Sequence, residues 1–186
     1  MAIRKVIVFG ATGMQGRQQP RELLSQGYEV RVVSRKLELL DGPDFDGTEK
    51  VIADYDDPAS IDAAIESVDA IFYQAQSMGD VERCNRQTET VRKAAEKAGV
   101  QLIVVNSSMW APDEPCGQYN FDGVLSMEEI MRAGPIPVVV FQPTLFMSNL
   151  HGDTIAWKLC PTCRPGMLFQ SHIWPPVRDT WLIRRE

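Results

Sequence analysis

The sequence predicts a doubly wound α/β fold built on a parallel sheet, and three observations lead there. Short apolar runs alternate with helical patterns through the first 141 residues. The first run, Ile3–Phe9, sets Val6, Ile7 and Val8 side by side, as in a strand buried on both faces. A glycine-rich turn follows it at once. Strands covered on both faces belong to sheets joined by right-handed crossovers, and the expected strand order is 3-2-1-4-5-6.

In chain order, Ile3–Phe9 is the first strand. Met14–Ser25 reads as a helix with Leu23 and Leu24 apolar, ended by Gly27. Pro20 falls inside that helix, where it is expected to remove a backbone bond and crowd the carbonyl of Gly16, costing about 3 kcal/mol unless the helix kinks. Glu29–Val33 resumes an extended pattern, and Lys50–Ala53 is a short third strand. Asp57 and Pro58 form an N-cap and first-turn pair for a helix with Ile61, Ala64, Ile65 and Val68 on one face. Asp69–Tyr73 is the fourth strand.

Val81, Cys84, Thr88, Val91, Ala95 and Ala98 recur every three or four residues, which predicts a long helix closed by Gly99. Its Arg83, Arg86, Arg92, Lys93 and Lys97 interleave with Glu82, Glu89 and Glu96, a mixed and solvated face. Gln101–Asn106 is the fifth strand. Asp122 is placed to cap a helix with Met127, Ile130 and Met131 inward, stopped at Gly134, and Val138–Phe141 is the sixth strand.

The domain expected from this pattern covers residues 1–150. Residues 151–186 lose the periodicity and gather both histidines and three of the four tryptophans, so an irregular C-terminal segment stands in place of a full substrate domain. The 186 residues carry 19 Lys and Arg against 25 Asp and Glu, a net charge of -6 that argues against broad nucleic-acid contact. No run approaches the ~20 apolar residues of a membrane span, and the amino terminus enters a strand pattern directly, so a cytoplasmic protein is expected. Four cysteines suit reduced thiols. No metal is expected: His151, Cys160, Cys163 and His172 are spaced unlike any compact zinc site.

Chemistry concentrates in Gly10-Ala11-Thr12-Gly13-Met14-Gln15-Gly16, a G-x-x-G-x-x-G turn between first strand and first helix, where a dinucleotide pyrophosphate meets backbone N–H groups. Gly10 permits the tight turn, Gly13 lets backbone approach phosphate, and Gly16 lets helix and strand pack closely. The second strand ends Val33-Ser34-Arg35, with no acid for the ribose hydroxyls that NAD presents. Arg35 suits a 2′-phosphate instead, so NADP is expected over NAD. Asp54 and Tyr55 follow the third strand on the adenine side, and Gln74 and Gln76 follow the fourth at the carboxyl edge, where such sheets bind ligands.

These residues resemble a known family. The GATGMQG turn, the Val-Ser-Arg strand end, Ala53-Asp54-Tyr55-Asp56-Asp57-Pro58-Ala59-Ser60, Val104-Val105-Asn106-Ser107-Ser108 and Gln142-Pro143-Thr144-Leu145-Phe146-Met147-Ser148-Asn149 look like the NmrA-like branch of atypical short-chain dehydrogenases/reductases. The resemblance spans about residues 3 to 150, in order. It implies a Rossmann domain that binds NAD(P), with Phe146 and Asn149 at the nicotinamide end. Some members are reductases, including secondary-metabolism enzymes, and others are redox-sensing regulators.

Hydride transfer also needs a proton and a hold on the substrate oxygen. Ser107 and Ser108 are the candidates for the hold, and Tyr119 is the candidate proton donor. The Tyr-x-x-x-Lys pair common in the superfamily is missing, since Gly123 follows Tyr119 at that spacing. Val124 stands about where NmrA-like reductases often carry a lysine. The expected protein is therefore an NADP-dependent oxidoreductase acting on a small carbonyl or conjugated substrate. The alternatives are a non-catalytic NAD(P) sensor and a truncated family member. A homodimer or a regulatory protein partner is compatible with the apolar helix faces, which do not distinguish such contacts from ordinary packing.

Overall fold

The computed structural model describes residues 2–74, 80–107 and 113–143, with only the backbone of Tyr119 and Asn120. All of these except Pro143 belong to one compact unit, Met1–Gln142. The strands are β1 (Lys5–Val8), β2 (Glu29–Ser34), β3 (Glu49–Ile52), β4 (Ala70–Gln74), β5 (Leu102–Asn106) and β6 (Val138–Phe141). The helices are α1 (Gln19–Ser25), α2 (Pro58–Ile65), α3 (Val81–Ala98) and α4 (Tyr119–Arg132). The sheet order is β3-β2-β1-β4-β5-β6, and every pairing is parallel. This is the expected doubly wound, Rossmann-like arrangement, with the chain reversing its direction across the sheet between β1 and β4.

Alternation along β1 divides the core. Ile7 and Phe9 face a cluster with Ile61 and Ile65 of α2, Val91 and Ala95 of α3, and Met127 and Met131 of α4. Val8 faces the other way, with Val30, Val32, Leu40 and Phe45, backed by Leu23 and Leu24 of α1. Two regular helices and a shorter third thus cover one face. The other has the seven-residue α1 and two 3-10 turns, Leu37–Leu40 and Pro43–Phe45.

Helix ends follow local chemistry. Asp57 caps α2 by accepting from the Ala59 N–H at 3.1 Å, with Pro58 in the first turn. Asp80 caps α3 through the Arg83 N–H at 3.0 Å, and Gly99 ends it in the left-handed region at φ 73°.

Two expectations are corrected. The first helix does not begin at Met14: the chain turns through Arg17 N–H to Gly13 O at 3.0 Å and Gln19 N–H to Gly16 O at 3.2 Å before α1 starts. Pro20 therefore sits in the first turn of α1, where a missing N–H costs no helical bond, and neither the kink nor the crowding of Gly16 arises. Asp122 is not the cap of α4, which begins three residues earlier. Its carboxylate reaches back to the N–H groups of Cys116 and Gly117, at 2.8 and 3.0 Å, and so orders the turn that leads into the helix.

Candidate functional site

The turn after β1 is shaped by its glycines. Gly10 adopts φ 75°, a conformation side chains disfavour. Gly16 is packed against it so closely that a Cβ there would lie 2.1 Å from the Gly10 carbonyl oxygen. The Gly13 N–H closes the turn onto the same oxygen at 3.0 Å. Thr12 and Met14, in contrast, make no hydrogen bond through their N–H groups among the described residues, and Met14 is exposed. Free backbone donors on a fixed turn are the chemistry of an anion cradle.

Beside the turn opens a cavity of about 250 Å³. Gly10 and Thr12 form one side, Ser34 and Arg35 at the end of β2 another, and Asp54 and Tyr55 after β3 the third. Arg35 is exposed and makes no ion pair among the described residues. The floor is aromatic: the Phe9 and Tyr55 ring centroids are 5.4 Å apart, and Tyr55 meets Tyr73 edge-on at 6.1 Å. The Tyr55 hydroxyl turns inward to the Gln74 carbonyl at 3.3 Å, and that of Tyr73 pairs with Thr88 at 2.9 Å. Burial pushes both phenols up, so they stay protonated and packed.

The fourth wall comes from α3. Arg83 and Gln87 line the cavity and both hold Asp56, Arg83 through Nε and Nη2 on Oδ2 and Gln87 through Nε2 on Oδ1 at 3.0 Å. The Arg83 guanidinium, and after it Gln87, keep the Asp56 carboxyl below the usual range. In the sequence Arg83 belongs to a mixed, solvated helix face, and nothing there marks Gln87. Asp80, as cap, was the available signal, because it sets the first turn of α3 beside the carboxyl edge of the sheet.

Toward the centre of that edge, Gln15 accepts from Gln74 Nε2 at 2.7 Å and from Asn106 Nδ2 at 3.3 Å, tying the glycine turn to β4 and β5. Gln74 Oε1 is buried with no hydrogen-bond partner among the described residues. Ser107, just past β5, donates a hydroxyl hydrogen bond to Glu128 of α4, a carboxylate that is 3% exposed. Glu128 also accepts from Arg132 at 3.1 Å and Gln142 at 3.3 Å. This pairing of Ser107 was not foreseen.

Of the residues expected in the site, the structure thus brings Gly10, Thr12, Arg35, Asp54 and Tyr55 around one cavity. Gln15 and Gln74 stand at the neighbouring centre of the edge. Ser107 lies further along it, and Tyr119 opens α4. Gln76, Ser108, Phe146 and Asn149 lie outside the described residues, as do the side chain of Tyr119 and the segment with His151, Cys160, Cys163 and His172.

A six-stranded parallel sheet reversing beside a glycine turn defines a Rossmann-type protein. The comparisons narrow this further. The NmrA-like family profile matches residues 3–163, and the chain belongs to that family. A Streptomyces griseus relative named (4-alkanoyl-5-oxo-2,5-dihydrofuran-3-yl)methyl phosphate reductase is 32% identical over 153 residues, 82% of this chain and 50% of the relative. The chain therefore spans about half the length of that relative. Among solved structures, Citrobacter sp. triphenylmethane reductase complexed with NADP(H) superposes with a TM-score of 0.68 at 22% identity, covering 79% of this chain and 51% of the other. The Bordetella bronchiseptica enzyme WbmH in complex with NAD+ gives 0.64 at 19% identity, with 77% and 57% covered. No helix among the described residues is long and apolar enough to cross a membrane.

Proposed function

We propose that this chain binds NADP(H) and is the cofactor-binding part of an oxidoreductase that reduces a small carbonyl or conjugated substrate. The observation that carries the reading is Arg35. It follows β2 directly, lines the cavity, makes no ion pair among the described residues, and stands at a strand end, Ser34-Arg35-Lys36, that offers no acid to the ribose hydroxyls of NAD. The residues present fit the cofactor. The cavity of about 250 Å³ is smaller than the ~300–1,000 Å³ of a whole ligand site, and so suits the adenosine end of a dinucleotide. The glycine turn would receive the pyrophosphate, where a side chain at position 16 would clash with backbone, and the orphaned Gln74 oxygen offers an acceptor further along.

When bound, the nicotinamide supplies a hydride. The chain's own part is to hold the phosphates at the turn, grip the 2′-phosphate at Arg35 and fix the turn through Gln15. A proton must also reach the reduced substrate, and Tyr119 remains the candidate donor. Names of the relatives support reductase chemistry, and a role in secondary metabolism is part of the same proposal.

Two observations favour a second reading, a nucleotide-binding regulator without turnover. Val124 is 2% exposed, an apolar core position where a catalytic lysine is common in the family. Ser107 spends its single proton on Glu128, which leaves it an acceptor and not a donor toward a substrate carbonyl.

Titration with NADPH and NADH, followed by intrinsic tryptophan fluorescence, tests the cofactor reading. NADPH is expected to bind more tightly, and Arg35→Ala to weaken it ~10- to 100-fold while leaving NADH nearly unchanged. Equal binding of both nucleotides by the wild type would overturn the NADP preference. Turnover across quinones, enones and aldehydes then separates reductase from regulator.

A further inference from the structure

We propose that Arg83, latched by Asp56, is a specificity-determining residue whose guanidinium plane stacks on the purine base of the bound nucleotide. This rests on the cofactor reading above and adds to it a base-directed contact from α3, distinct from the phosphate contact at Arg35.

The two arginines of the cavity differ in how they are held. Arg35 is exposed and unpaired among the described residues, free to follow a phosphate. Arg83 is fixed at both ends. Its backbone N–H is bonded to the cap Asp80 at 3.0 Å, and its Nε and Nη2 both converge on Asp56 Oδ2. Gln87, one turn along α3, holds the second oxygen of Asp56 at 3.0 Å, so the carboxylate is gripped from two positions of the same helix.

An ion pair made along one edge of a guanidinium leaves its two planar faces open, and those faces stack on aromatic rings. It also offsets much of the charge that would otherwise draw Arg83 onto a phosphate. Arg83 lines the cavity together with Gly10, Ser34 and Asp54, and keeps about two-fifths of its side chain exposed. Nothing in local folding calls for this arrangement. An exposed pair of this kind adds little to stability, and Asp80 already caps the helix. A planar cation held along one edge at the wall of this cavity, with its faces left for a ring, is suited to base stacking.

The test uses 2′,5′-ADP and 5′-AMP, which share the base and differ in the 2′-phosphate. Affinities for the full chain are measured by calorimetry, with the melting temperature of each variant recorded. Arg83→Ala is expected to weaken both ligands by the same factor, ~5-fold, since the lost contact is to the base. Arg83→Lys should lose as much, because it keeps the charge and lacks the plane. Asp56→Asn should reproduce part of the loss with Arg83 still present. Arg35→Ala should weaken only 2′,5′-ADP.

A larger loss for 2′,5′-ADP than for 5′-AMP at Arg83→Ala would make Arg83 a phosphate ligand and overturn the proposal. So would rescue by Arg83→Lys, or unchanged affinities at Arg83→Ala while Arg35→Ala shows its effect; the cofactor reading would survive in each case. Failure of the wild type to bind either ligand would instead sink the cofactor reading, and this inference with it.

Discussion

The two ends of the parallel sheet spend their polar groups differently. At the amino ends, side chains tie strand to strand. Asp69, before β4, accepts from the N–H groups of Arg4 and Lys5 at 2.8 and 2.9 Å and from Gln101 at 3.1 Å, joining the starts of β1, β4 and β5. Glu49 on β3 pairs with Lys5 of β1 at 2.6 Å and Arg31 of β2 at 2.9 Å. At the carboxyl ends Gln15 also ties to Gln74 and Asn106, but several groups make no hydrogen bond or ion pair among the described residues: the Thr12 and Met14 N–H groups, Arg35 and Gln74 Oε1. Order is invested at one end, and capacity to bind is left at the other. The consequence is testable, because damage at the carboxyl end should remove ligand affinity and damage at the amino end should remove stability alone.

The largest effect is expected at Gly16. A Cβ there meets the Gly10 carbonyl oxygen at 2.1 Å and its carbon at 2.7 Å, both backbone atoms that cannot rotate aside. Gly16→Ala must therefore displace the turn by an ångström or so, and NADPH affinity should fall ~100-fold or more, since misplacement on that scale costs about that much. Calorimetric titration checks this. Retained affinity would mean that the turn does not hold the nucleotide.

Legibility in the sequence follows the same division. Strand order, the capped α2 and the long α3 were all readable, because buried strands and amphipathic helices write their period into consecutive residues. The start of α1 was not. Leu23 and Leu24 mark the helix, but the turns from Gly13 to Gln19 that precede it are set by packing against Gly10, which no local period reports. Around the cavity, Gly10, Arg35 and Asp54 stand out in the sequence because a known turn and strand ends point at them. Arg83 with Asp56, and Glu128 with Ser107, are partners 27 and 21 residues apart that only the folded chain brings together. Each of those residues looks alone in the sequence like an ordinary surface charge or hydroxyl.

A smaller effect, confined to stability, is expected at Arg31. This residue is 8% exposed, and its guanidinium caps the carboxyl end of α2 through the carbonyls of Ala64 and Glu66, at 2.6 and 2.9 Å, while pairing with Glu49. Removing it leaves two carbonyls and a carboxylate short of a charged donor. Arg31→Ala should cost about 3 kcal/mol in denaturant unfolding. Nucleotide affinity of the folded protein should stay within twofold of wild type. A loss of affinity comparable to that of Gly16→Ala would break the separation between the two ends.

The smallest effect is a pH dependence at Asp69. The Lys5 N–H, then that of Arg4, hold its carboxyl below the ordinary range, with Gln101 adding to them. A carboxyl whose pKa is lower in the folded state stabilises the fold above its unfolded value, near 3.8, and that contribution fades as pH falls through the folded value. Asp69→Asn keeps an acceptor oxygen but cannot titrate. Its unfolding free energy should therefore be below wild type at neutral pH, with the gap closing as pH falls below the ordinary carboxyl value of 3.8 and through the lower folded one. Urea unfolding at a series of pH values reads this directly. A gap that stayed constant with pH would show that the hydrogen bonds of Asp69 stabilise the sheet without any contribution from its charge, and the amino end would then be held by geometry alone.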